Sequence, residues 1–142
     1  MGDTVLSMLG WARGVPGDGR GLTKVDPTLA PVESYLGVMV PGMTAYFGLL
    51  DIGVSQPGRR PRPRAAGAVG SVVCQIAKLK GCRGGGSAGS EAKVAWLTET
   101  AMDAAFNYKT LPAAALAKPV PDGVDVYSDN VGGDHLEAVP SA

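Results

Sequence analysis

Residues 56–71 read QPGRRPRPRAAGAVGS, and the fold turns on how the two halves of that stretch are understood. The second half, AAGAVGS, sets Gly67 and Gly70 at a G-x-x-G spacing ahead of an apolar pattern. In a strand–turn–helix unit the first such glycine lets the backbone approach a pyrophosphate. The next allows the helix to pack closely on the sheet, and the free N–H groups of the helix face the phosphates. Alone, the turn is a weak signal, because Gly/Ala turns before helices are common. The first half, RRPRPR, fills the place where the turn needs a central buried strand. Prolines remove strand hydrogen bonds and confine a segment to sheet edges. With two prolines and no interleaved aromatic residue, RRPRPR reads as a solvated loop rather than as a surface for nucleic acid.

Downstream of the turn, Val69, Val72, Val73, Ile76, Ala77 and Lys80 step at three and four, which predicts a helix ending at Gly81. CRGGGSAG then occupies the place of a second strand, with four glycines and no β-branched residue. SEAKVAWLTET restarts a helix with Ser90 as N-cap. DAAFNYKT reads as a short strand, LPAAALAK as a short helix, VDVYSDN as a strand with β-branched and aromatic residues, and VGGDHLEAV as the start of a last helix. The alternation predicts an α/β fold, an incomplete Rossmann-like doubly wound parallel sheet.

Upstream, residues 1–34 show little periodicity, and VDPTLAP reads as a turn-rich linker. From 35 to 50 apolar residues accumulate; Pro41 suits a first helical turn and Gly53 a helix end. A helix is expected over about 42–52, burying Tyr46, Leu49 and Leu50. Two segments follow, an irregular one over 1–34 and a nucleotide-binding one over 35–142.

The bulk numbers exclude more than they establish. The chain has 142 residues, 13 basic and 13 acidic, so no net field draws it to nucleic acid or to a membrane. No run approaches the 18 apolar residues of a membrane span, and MGDTVLSMLGWARG lacks the basic and apolar regions of a secretory signal. A soluble cytoplasmic protein is expected. Cys74 and Cys82 stand eight apart and the single histidine, His135, is remote, so no metal site is expected. His135 lacks a well-spaced carboxylate partner and reads as a helix-surface residue.

Charge near the second strand bears on the ligand. If Ser90 caps the helix, Lys93 lies in its first turn, where the dipole disfavours a cation unless an anion is also present. A ribose 2′-phosphate would be such an anion, favouring NADP over NAD. Glu91 is the rival, since a carboxylate here suits a ribose 2′-hydroxyl. A solvated Lys93 is an equal alternative on the residues alone.

Taken together, PGMTAYFGLLDIG, AAGAVGSVVCQIAKLKGCR, AGSEAKVAWLTE, DAAFNYKT and PDGVDVYSDNVGGDHLEAV resemble the zinc-free medium-chain dehydrogenase/reductases. The likeness is to the group of leukotriene B4 12-hydroxydehydrogenases, 15-oxoprostaglandin reductases and alkenal/alkenone reductases, and it runs from about Gly21 to the C-terminus. The resemblance implies NADP(H)-dependent hydride transfer to the β-carbon of an α,β-unsaturated ketone or aldehyde. It implies that Gly67, Ala68, Val69 and Gly70 cradle the pyrophosphate and that Lys93, helped by Ser90, meets the 2′-phosphate. Tyr108 would contact the phosphate or adenosine region, Asn130 would lie along the cofactor, and Met43 and Thr44 would approach the nicotinamide. No catalytic residue is assigned. A zinc-free quinone oxidoreductase is the neighbouring alternative, and a remnant with at most weak nucleotide binding is another. The family's homodimer is left open for this chain.

The departures from the family pattern are local. RRPRPR replaces an apolar strand, Gly84, Gly85, Gly86 and Ser87 replace the apolar residues of the second, and residues 1–34 stand as a remnant of a catalytic domain. Each lost apolar side chain forfeits about 1.5–3 kcal/mol of burial, against a domain stability of only about 5–15 kcal/mol. Both strands are expected to be disrupted, folding to be weak, and this chain alone to show little or no activity.

Overall fold

The computed structural model describes residues 2–10, 12–53, 61–63, 67–111 and 124–138. The chain divides into two compact units, Met1–Val40 and Pro41–Ala142.

In the first unit, β1 (Val5–Leu6) pairs antiparallel with β2 (Thr23–Lys24). The ribbon is extended by Val25 N–H donating to Thr4 C=O at 3.0 Å and fastened by Lys24 Nζ at 2.7 Å from Asp3 Oδ1. VDPTLAP is a stitched turn. Asp26 Oδ1 accepts from the Thr28 N–H and hydroxyl at 2.8 and 2.7 Å, and those bonds hold the Asp26 carboxyl below its ordinary pKa. Helix α1 (Val32–Gly37) follows Pro31.

Helix α2 (Met43–Tyr46) lies between two wide π-type segments, Val38–Gly42 and Phe47–Ile52. Two expectations are corrected here. Helical backbone begins at Val32 rather than about 42, so Pro41 sits inside a helical segment and not in a first turn. A proline there removes a hydrogen-bond donor, and the wide turn accommodates the loss. Tyr46 is exposed, with its ring edge-on to Phe47 at 5.5 Å, while Ala45 and Leu49, four apart on one face, enter the core. A third correction concerns length. Val32–Ile52, 21 residues, is long and apolar enough to cross a membrane by length and composition, a test that core helices of soluble proteins also pass.

The second unit carries the α/β layer. Helix α3 (Ala68–Leu79) ends with Gly81 at φ +71°, a left-handed position suited to glycine. It is followed by β4 (Gly85–Ala88), α4 (Glu91–Thr100), β5 (Ala104–Asn107), β6 (Val126–Ser128) and α5 (Asp134–Ala138). β4 and β5 pair in parallel, with Gly85 opposite Ala104 and Ala88 opposite Asn107. The short helix expected over LPAAALAK lies, beyond Leu111, outside the described residues.

Both strands expected to be disrupted are formed. Pro61–Pro63 runs as β3, parallel to β6 with Arg62 opposite Tyr127, and it also lies beside β4. The physical reason is alternation. Backbone groups of successive strand residues point to opposite edges, so Arg62 alone can donate to β6, and the two prolines turn their missing N–H groups toward β4. That accounts for the absence of a β3–β4 ladder among the described residues. β4 is held by hydrogen bonds to the main chain in and beside it rather than by packing of its own side chains. All four of its residues are buried, Gly84 N–H donates to Asp103 Oδ2 at 2.7 Å, and Tyr108 N–H donates to Ala88 C=O at 3.1 Å.

The core shows the cost of that strand. It consists of Ala45, Leu49, Val73, Cys74, Ala77, Ala88, Leu97, Ala101 and Met102, so β4 supplies one methyl group to it. Each glycine in a strand interior gives up roughly 0.5–1 kcal/mol relative to alanine.

Candidate functional site

The turn before α3 has the backbone that an anion site requires. Gly67 is the N-cap, extended at φ −99° and ψ −179°, with no side-chain cap, and Ser71 N–H closes the first turn on Gly67 C=O at 2.9 Å. The N–H groups of Ala68, Val69 and Gly70 therefore have no acceptor within the helix. They carry the positive end of the helix dipole.

Two cavities meet at this turn. One, of about 320 Å³, is lined by Gly67, Ala68, Ser71, Ala92, Lys93 and Trp96. The other, of about 240 Å³, is lined by Gly67, Ala68, Val69, Gly70, Ser128, Asn130 and Val131. The first runs from the turn to the start of α4, and the second runs from the turn to the end of β6. An elongated ligand with phosphates at the turn would thus have one arm in each.

At the α4 end, Ser90 is the N-cap residue, extended at φ −156° and ψ 152°, but its hydroxyl makes no capping bond. Lys93 is exposed in the first turn and makes no ion pair among the described residues. A cation at a helix N-terminus costs about 0.3–1 kcal/mol unless an anion offsets it. Tyr108 packs over Gly89, immediately before Ser90; a Cβ on that glycine would lie 2.7 Å from the phenol oxygen. Glu91, the rival carboxylate, is engaged: its Oε1 accepts from Asn107 Nδ2 at 2.7 Å.

At the β6 end, Asn130 lies in a loop shaped by Asp129. Asp129 Oδ1 accepts from Val131 N–H and Oδ2 from Gly132 N–H, each at 2.9 Å. Gly132 and Gly133 both sit at positive φ, 76° and 73°, where other residues are strained. Met43 and Thr44 are exposed on α2 and line neither cavity. Of the ten expected residues, Gly67, Ala68, Val69, Gly70, Lys93 and Asn130 line the two cavities, Tyr108 stands against Gly89 beside Ser90 at the start of α4, and Met43 and Thr44 line neither cavity.

Sequence reasoning missed Trp96, Ala92, Ser71, Ser128 and Val131. Helical spacing held the signal for two of them, since Trp96 stands three after Lys93 and four after Ala92 on one face of α4. Cys74 is buried, which pushes its thiol up to about 12, and Cys82 is raised by the same cause. Neither is an activated nucleophile. His135 belongs to α5, and its side chain lies outside the described residues.

A profile described as zinc-binding dehydrogenase matches residues 68–142, more than half of the chain. The chain belongs to the medium-chain dehydrogenase/reductase family. Prostaglandin reductase 1 of Mus musculus is 51% identical over 145 residues, covering 97% of this chain and 44% of the relative. The 2-alkenal reductase (NADP(+)-dependent) of Nicotiana tabacum is 42% identical over 144 residues, covering 97% of this chain and 42% of that protein. CurA from Vibrio vulnificus, solved in complex with NADPH, superposes with a TM-score of 0.77 at 45% identity, over 87% of this chain and 38% of CurA. The chain therefore spans less than half the length of the relatives it matches. The superposition on CurA bears out, for this medium-chain dehydrogenase/reductase, the Rossmann-like fold that the sequence predicts. Among its described residues there is no group of three or more His, Cys, Asp or Glu able to hold a metal.

Proposed function

We propose that this chain is the nucleotide-binding part of an NADP(H)-dependent reductase that saturates the C=C bond of α,β-unsaturated ketones or aldehydes. One observation carries the reading: the two cavities share the Gly67–Ala68 turn and extend to Lys93 on one side and Asn130 on the other. Relatives named as an NADP(+)-dependent 2-alkenal reductase and a prostaglandin reductase, and a neighbour solved with NADPH, support it.

The residues fit a phosphorylated dinucleotide. The N–H groups of Ala68, Val69 and Gly70 would donate to the pyrophosphate, where the helix dipole favours negative charge. Lys93 Nζ and the uncapped Ser90 hydroxyl would meet the 2′-phosphate. Trp96 offers an aromatic surface in the same cavity as Lys93, and Tyr108 bounds the neighbouring Gly89. Asn130 and Ser128 would orient the arm that runs along the end of β6. When bound, the nicotinamide supplies a hydride to the β-carbon of the acceptor. This chain's contribution is to bind and to orient; polarising the acceptor carbonyl falls to donors not identified among the described residues.

A second reading is nucleotide binding without turnover, favoured by the position of Met43 and Thr44 outside both cavities. Mixing the purified chain with NADPH and a simple enone, with product followed by mass spectrometry, separates the two. Saturated ketone formed in proportion to NADPH consumed supports the reductase. Tight NADPH binding with no product supports binding alone, and no NADPH binding contradicts both.

A further inference from the structure

We propose that Asn107 is a specificity-determining residue: it holds the Glu91 carboxylate away from the cofactor's 2′ position and so leaves the start of α4 selective for a 2′-phosphate. This rests on the dinucleotide reading above.

Asn107 ends β5 and is 8% exposed. Its side chain is fixed at both atoms. Oδ1 accepts from the Lys109 N–H at 3.0 Å, and Nδ2 donates to Glu91 Oε1 at 2.7 Å. The orientation of the amide follows from its partners, because a backbone N–H can only donate and an ionised carboxylate can only accept. The main chain is anchored as well, with Asn107 C=O accepting from Thr110 N–H at 3.2 Å and Leu111 N–H at 3.0 Å. The donor is therefore a fixed post rather than a mobile group.

Glu91 is the first residue of α4 and Lys93 comes two residues later. Residues two apart on a helix do not share a face. Glu91 accordingly reaches to the end of β5, while Lys93 joins Ala92 and Trp96 in the cavity. Released from Asn107, Glu91 would be a long, exposed carboxylate beside Ser90. A carboxylate at this strand end is suited to the 2′-hydroxyl of an unphosphorylated ribose and repels a phosphate. Lys93 supplies the attraction, and the Asn107–Glu91 bond removes the repulsion. Selectivity commonly needs both.

The test is the ratio of dissociation constants for NADH and NADPH, measured by calorimetric titration of the full chain. Asn107→Ala should lower the preference for NADPH about tenfold, the change that one released like charge produces at a partly exposed site. Glu91→Gln alone, with the tether intact, should move the preference about threefold or less. The double variant should recover the preference that Asn107→Ala loses. Asn107→Asp, which keeps the acceptor for Lys109 and replaces the donor by a carboxylate oxygen, should show the same fall if the alanine variant does not fold. Equal weakening of both cofactors, or a double variant without recovery, overturns the inference and leaves the dinucleotide reading standing. A wild-type chain that binds neither cofactor overturns both.

Discussion

Tyr108 lies against Gly89 so closely that a Cβ on the glycine would stand 2.7 Å from the phenol oxygen and 3.1 Å from Cζ. The glycine is there for space, since its backbone does not need the left-handed region. Gly89→Ala should push the Tyr108 ring away from Ser90. Overpacking of this kind costs about 1–3 kcal/mol. We expect a lowered melting temperature together with NADPH affinity reduced by more than the loss of folded protein explains, as read by titration above and below the new midpoint.

Gly53 is held more tightly. A Cβ there would meet Leu49 C=O and Val126 Cγ1, each at 2.9 Å, and the carbonyl cannot move without opening the helical turn. Gly53→Ala should destabilise the chain by about 1–3 kcal/mol. In urea, the midpoint should fall with little change in slope.

Leu97 is fully buried and is one of the few large side chains in a core otherwise rich in alanine. Leu97→Ala should cost about 2–5 kcal/mol. Because β4 adds a single methyl to that core, the variant should lose cooperative unfolding by circular dichroism. A two-state transition within one degree of wild type would show that the core does not depend on Leu97.

Burial raises the Cys74 thiol to about 12 from an ordinary value of 9.0. A thiol held protonated by the fold contributes stability that is whole below the unfolded pKa and declines as pH rises through 9 toward 12. The sign follows because the unfolded chain gives up its proton first. The expected slope from this group is about 1.4 kcal/mol per pH unit in that window. Cys74→Ala should remove that slope from a stability–pH profile taken between pH 8 and pH 11. Thiol alkylation under native conditions should reach half-buried Cys82 before Cys74.

Much of this architecture was legible from residue pattern. The three-and-four spacing of Val69, Val73, Ile76 and Ala77 fixed α3, and the glycine pair at 67 and 70 fixed the turn before it. What the pattern misjudged were the two strands with little side-chain signal. β4 is specified by its ladder with β5 and by the Asp103 carboxylate that accepts from Gly84 N–H just before it, and propensity takes no account of partners supplied by distant residues. β3 survives its prolines because only Arg62 has to donate toward β6. Tyr46 leaves the buried face expected of it because the wide turns on either side of α2 shift the ideal helical period. At the site, single charges such as Lys93 and Glu91 could be named from sequence. That Glu91 is engaged is not legible there, because its partner is the Asn107 amide, sixteen residues away.

The central claim is that the turn at Gly67 and the charge at Lys93 form one NADP site, and thermal shift of the purified chain with NADPH, NADH and the Lys93→Ala variant tests it most directly. A ligand at 100 times its dissociation constant stabilises its partner by about 2.7 kcal/mol. NADPH should therefore raise the melting temperature by several degrees, NADH should raise it less, and Lys93→Ala should erase the difference between them. No shift with millimolar NADPH, or equal shifts with both cofactors in the wild-type chain, would contradict the account.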